Sequence, residues 1–169
     1  AGLWVLEMPG VYGLPGPPSF ERRLWVGHLA AGPESRVSHQ AAAALHHFLG
    51  SPPNRVILIG KHSGWNRIPN VFVHQINDVL PHHWTTISHL PVTTRARTIV
   101  DLAAVFGTAR LREVLDDQVT HRRVTYVEVG HVLRVVARKG KPGVRKLTAL
   151  LDVRGPDYVP PASAAEAML

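Results

Sequence analysis

Eleven histidines among 169 residues raise metal or acid–base chemistry as the first question. Their spacing does not support it. His46-His47 and His82-His83 are adjacent pairs, so their side chains leave a helix or strand in different directions. No H-E-x-x-H occurs, and no two histidines lie four apart on one helical face. His62, His74 and His89 would need the fold to bring them together. The twelve carboxylates are sparse: Asp116 and Asp117 are neighbours that do not share a helix face, and no D…E-x-K segment follows a strand. Cysteine is absent, which removes disulfides, thiolate nucleophiles and cysteine zinc sites together. No G-x-S-x-G nucleophile motif is present. Gly60-Lys61-His62-Ser63-Gly64 looks like a phosphate loop but lacks G-x-x-x-x-G-K-[ST], and it reads as a loop between strands. These residues therefore predict no catalytic centre, no metal and no cofactor. Arg97 and Asp101, four apart, are spaced to pair on a helix surface, which is a structural role.

Positive charge is the stronger signal. The chain carries a formal net charge of +7, and thirteen Lys/Arg against six acids fall in residues 95–154. The densest stretch is Arg134, Arg138, Lys139, Lys141, Arg145 and Lys146, with no acid between them. Such a stretch suits a phosphate backbone, because neutralising phosphates releases counterions. A solvated face of two helices is the ordinary alternative. These six residues are the predicted DNA-backbone contacts, for positioning rather than base reading.

The elements that must position them follow from local pattern. Leu3–Leu6, a Pro9-Gly10 turn and Val11-Tyr12 predict a small hairpin. Ser19 caps a helix of about twelve residues, with Phe20, Leu24 and Leu29 inward. Val37 is a brief extended step. Ser38 opens a helix from His39 to about Phe48, whose four alanines fit either core packing or a docking face for a partner. Val56–Ile59, Val71–His74, Thr85–Ile87 and Leu90–Thr93 read as short strands, too close for helices between them. From Thr93 the pattern turns helical. Thr93 or Thr94 caps the first helix, with Ile99, Leu102, Ala103 and Phe106 on one face. A second runs from Thr108 with Leu111, Val114, Leu115 and Val119 inward. Thr125 and Glu128 form a capping box for the third, and Val144, Leu147, Leu150 and Leu151 mark a fourth. His121 to Thr125 joins two helices in a turn that imitates helix-turn-helix. Glu128 would repel phosphate at its reading end, so the segment reads as scaffolding. The expected class is α+β: a small mixed or antiparallel sheet of short strands, about 35–93, flanked by helices and followed by a helical C-terminal half.

Several segments in one order carry a resemblance: Pro9-Gly10-Val11-Tyr12, Ser38-His39-Gln40-Ala41-Ala42-Ala43, and P-V-T-T-x-A-R-T-x-x-D-L-A at 91–103. Lys141-Pro142-Gly143-Val144 and Pro160-Pro161 with Ser163 and Glu166 follow. Together they resemble the AbiEi-type antitoxin and transcriptional regulators of actinobacteria, of the kind fused to a Vsr-like endonuclease domain. The resemblance implies three parts. Residues 1–14 match the end of a winged-helix wing, 15–154 the central α+β domain, and 155–169 a linker and the first turn of an endonuclease helix at Ser163–Glu166. It implies further that the recognition helix lies upstream and the nuclease carboxylates and lysine downstream. The expectation is a non-catalytic, nucleic-acid-associated regulatory domain whose partner is DNA. A relative of the endonuclease or a toxin-neutralising interaction module is the alternative.

Composition agrees with a folded domain. The chain is 45% hydrophobic and 18% charged, in the globular range. No apolar run is long enough to span a membrane and no signal-peptide pattern opens the chain, so the expected location is the cytoplasm.

Overall fold

The computed structural model describes residues 3–61, 68–138 and 140–154. Two short strands, β1 (Val5–Met8) and β2 (Val11–Gly13), form the expected hairpin around Pro9-Gly10. Helix α1 (Phe20–Ala31) follows, its first turn capped by Ser19 Oγ, which accepts from the Arg22 N–H at 3.0 Å. Leu24, Gly27 and Ala31 form its buried stripe. Leu29, expected inward, is exposed because it lies five residues past Leu24, off that stripe. At Gly27 a Cβ would stand 2.8 Å from Val56 Cγ1, so glycine lets α1 lie directly on the sheet.

The main sheet is mixed and five-stranded: β3 (Arg36–Val37), β4 (Val56–Gly60), β5 (Val71–Gln75), β6 (Trp84–Ile87) and β7 (Leu90–Thr93), in the order β5-β4-β3-β7-β6. β3 has only two residues yet joins the halves, antiparallel to β4 and parallel to β7. β4 and β5 are parallel, with Ile57 opposite Phe72 and Ile59 opposite His74. All five β4 residues are buried, as an interior strand covered on both faces requires.

Helix α2 (His39–Leu45) is shorter than its alanine pattern suggested. His47 adopts φ +57, a left-handed conformation usual for glycine, and the Phe48 N–H closes back on Ala43 C=O at 2.9 Å. The alanine face is core, not a docking surface: Ala41, Ala42 and Ala43 are each at most 1% exposed. Ala41, Ala42 and Leu45 pack with the sheet residues Val37, Leu58 and Val92, whereas Ala43 and Phe48 join the helical core. α2 is thus the seam between two hydrophobic clusters.

The C-terminal half consists of α3 (Arg95–Leu102), α4 (Thr108–Thr120), α5 (Tyr126–Val136) and α6 (Val144–Asp152). Thr94 caps α3, and the Thr125–Glu128 capping box opens α5 as its spacing predicts. Ile99, Leu102, Leu111, Leu115, Val129 and Leu147 are fully buried among these helices. Each such side chain contributes about 1.5–3 kcal/mol relative to an exposed one. Among the described residues no helix is long and apolar enough to cross a membrane.

Candidate nucleic-acid interface

The six basic residues singled out by sequence do not act as one surface. Arg134 is exposed on α5 and Arg145 is exposed on α6. Lys139 lies outside the described residues. Lys141 is mostly buried and places Nζ 2.6 Å from Asp78 Oδ2, while the half-exposed Arg138 reaches the same oxygen at 3.3 Å. Lys146 donates to Ala103 C=O at 3.1 Å and to Phe106 C=O, closing the end of α3. Two of the expected phosphate contacts, Lys141 and Lys146, are therefore committed to holding the fold.

Asp78 is the hub of a larger polar network. Arg97, fully buried, donates through Nη2 to Asp78 Oδ1 at 2.7 Å and through Nε to Asp101 Oδ1 at 2.9 Å. The Arg97–Asp101 pair is thus interior, not on a helix surface as its spacing suggested. Arg97 Nη1 also donates to the Asp78 backbone C=O at 2.8 Å and approaches His83 Nδ1 at 3.2 Å. Burial alone would raise Asp78, but the hydrogen bonds from Lys141 and Arg97 outweigh it and hold the carboxyl below its ordinary range. Asp101 goes the other way: burial pushes it up to about 6 against the pull of Arg97. Nearby, the His39 and His74 rings meet at a tilt of 31° with centroids 4.4 Å apart, and His39 adopts φ +50 at the start of α2. His62 lies outside the described residues, and among those described no group of three histidines or carboxylates is arranged to hold a metal ion.

A different surface collects positive charge. A groove of about 670 Å³ opens where the first turns of α3 and α5 meet the chain before β6. Arg95, Arg123, Arg134, His82 and His131 line it, with Glu128 as its carboxylate. That carboxylate is engaged locally: Glu128 Oε2 accepts from the Thr125 N–H at 2.7 Å and from the Thr125 hydroxyl at 2.9 Å. Arg95 is fixed by donating from Nη1 to Gln118 Oε1 at 2.7 Å and to His46 C=O at 3.0 Å. Burial, and then the charge of Arg123, lower its affinity for its proton. An anion in the groove would relieve that repulsion. His82 and His131 face one another with centroids 6.5 Å apart. Among the described residues lining the groove there is no Phe, Tyr or Trp, so it is built for charge rather than base stacking.

Of the sequence candidates only Arg134 enters this groove. Arg95 and Arg123 were missed, and the one available signal was their place beside the capping residues Thr94 and Thr125. The His121–Thr125 turn, read as scaffolding, places Arg123 in the groove while Glu128 caps α5. Comparison of the chain with protein-family models, with curated proteins and with solved structures finds no match.

Proposed function

We propose that this domain is a non-catalytic regulatory module that holds DNA by its phosphate backbone, of the kind found in AbiEi-type antitoxin and transcriptional regulators. The observation that carries this reading is the groove: three guanidinium groups and the imidazoles of His46, His82 and His131 line one opening whose carboxylate is tied into a helix cap. Arginine forks suit phosphate oxygens, and the absence of aromatic lining favours backbone over base contact. Arg145, exposed on α6, is a further sequence candidate whose side chain has no hydrogen-bond or ion-pair partner among the described residues. A cytoplasmic location fits a cysteine-free chain acting on DNA. Gel-shift titration of duplex DNA at increasing salt tests the reading. About three phosphate contacts give a slope of roughly −3 in log K against log salt. Binding that ignores salt, or none at 50 mM salt and below, overturns it.

A toxin-neutralising interaction module is the second reading, and the hairpin favours it. Leu3, Trp4, Leu6 and Tyr12 are each at least 60% exposed, an unusual concentration of apolar surface. Capture of a cognate toxin that is lost on Leu6→Asp would support this reading over DNA binding.

A further inference from the structure

We infer that the cleft between the N-terminal hairpin and α1 binds a small amphipathic carboxylate. This site is separate from the basic groove and does not rest on it.

The cleft has two lobes. The first encloses about 490 Å³ between the hairpin, α1 and the starts of β4 and β5, with Val5, Met8, Pro15, Val26, Val56 and Val71 as its apolar walls. That volume falls within the range of small-molecule pockets, about 300–1,000 Å³. The second lobe, about 500 Å³, is lined by Arg23, Asn54, Arg55, Asn70 and Phe72. Arg23, Val56, Asn70 and Val71 line both, so the two lobes adjoin.

Charge is segregated along this cleft. In the apolar lobe, Arg22 is neutralised: its Nε donates to Glu7 Oε1 at 3.0 Å and its Nη2 to Leu14 C=O at 2.6 Å. In the polar lobe no carboxylate among the described lining residues offsets the cations. Neither Arg23 nor Arg55 has a side-chain hydrogen-bond partner or a paired carboxylate among the described residues. Each guanidinium instead lies over an aromatic ring at 5.6 Å, Arg23 on Phe20 and Arg55 on Phe72. Such a seat restrains the cation while leaving its N–H donors available. Asn54 and Asn70 add amide donors beside them.

The complementary ligand has a hydrocarbon or aromatic body of modest size and one planar anionic end. Arginine forks match a carboxylate bidentately, and apolar walls discriminate against acids too small to fill them.

Calorimetric titration of the full chain with octanoate, 1-octanol and acetate tests this. Octanoate should bind at least ten-fold tighter than either comparison compound. Arg23→Gln combined with Arg55→Gln, both at exposed positions, should erase the advantage of octanoate over octanol and leave octanol binding unchanged. Val26→Trp, which fills the apolar lobe, should weaken octanoate and octanol at least ten-fold. Met8→Trp fills the same lobe from the hairpin wall and replaces it if the helix variant does not melt cooperatively. Octanoate binding no tighter than acetate, or undiminished in the double arginine variant, overturns the proposal.

Discussion

Arg97 Nη2 donates to Asp78 Oδ1 across 2.7 Å, tying the first turn of α3 to the chain that leaves β5. Asp78 also receives Lys141 and Arg138, so one carboxylate fastens the sheet, α3 and the loop between α5 and α6. Removing one partner of a buried ion pair leaves uncompensated charge in low dielectric, which costs more than the pair itself contributes. Asp78→Asn should lower unfolding stability by about 2–4 kcal/mol, because Arg97 stays fully buried with only Asp101 as a carboxylate partner. Urea unfolding of the variant checks this, and a loss below about 0.5 kcal/mol, the scale of ordinary surface changes, would show the hub to be dispensable.

The same network shows where sequence reasoning stops. The Arg97–Asp101 spacing was legible, but its depth was not, because Asp78 joins from nineteen residues upstream. Lys141 and Lys146 read as exposed charge, yet their partners lie 63 and 43 residues away. Capping signals at Ser19 and Thr125 are local and each marks a helix start, and of the two threonines offered for α3 the structure uses Thr94. Strand order was hidden because β3 is two residues long and its role is set by pairing with β4 and β7. Of the groove residues Arg95, Arg123, Arg134, His82 and His131, only His131 and Arg134 share a helix face by spacing, and the others come from other segments, so only the fold groups the set.

The division of the basic residues separates binding from stability. Arg123→Ala with Arg134→Ala should reduce the steepness of the salt dependence of DNA binding by about two units, roughly one per lost phosphate contact. Lys146→Ala should leave that slope unchanged but lower the melting temperature, since it uncaps the carbonyls of Ala103 and Phe106. Gel shifts and thermal melts on the same variants decide between the roles. A slope that changes equally in all three substitutions would place the interface elsewhere.

Gly143 predicts a backbone effect. It adopts φ +84 before α6, and a Cβ there would stand 2.3 Å from the Ala103 carbonyl carbon. Both the conformation and the contact exclude a side chain, and the contact is with backbone that cannot rotate aside. Gly143→Ala should therefore destabilise by more than about 1 kcal/mol, whereas Gly140→Ala, with φ +81 but open space around it, should cost less. Equal losses in chemical denaturation would assign the whole effect to φ rather than to the packing of α6 on α3.

Acid lability follows from two buried histidines. Burial is the first cause of the low value of His46, about 4, with its hydrogen bond to Thr93 C=O opposing and the charges of Arg95 and His47 assisting. His39 falls to about 3, again through burial first and then the charges of His74, Arg97 and Lys141. Both titrate near 6.5 once unfolded. Between those values the unfolded chain binds more protons than the native one, so stability rises with pH and is lost on acidification below about 6.5. Asp101 opposes this, because its raised value makes the native state the better proton binder between 3.8 and about 6. Among these three groups, two histidines against one carboxyl leave a net uptake of about one proton on unfolding, a slope of about 1.4 kcal/mol per pH unit. His28, His74 and His83, whose values burial also lowers, add to it in the same direction. Urea unfolding between pH 5 and pH 7 should therefore show stability falling toward pH 5. His46→Gln, which keeps an N–H donor for Thr93 but cannot take up a proton, should remove about one proton's worth of that slope. An unchanged slope in His46→Gln would exclude His46 as a source of the acid sensitivity.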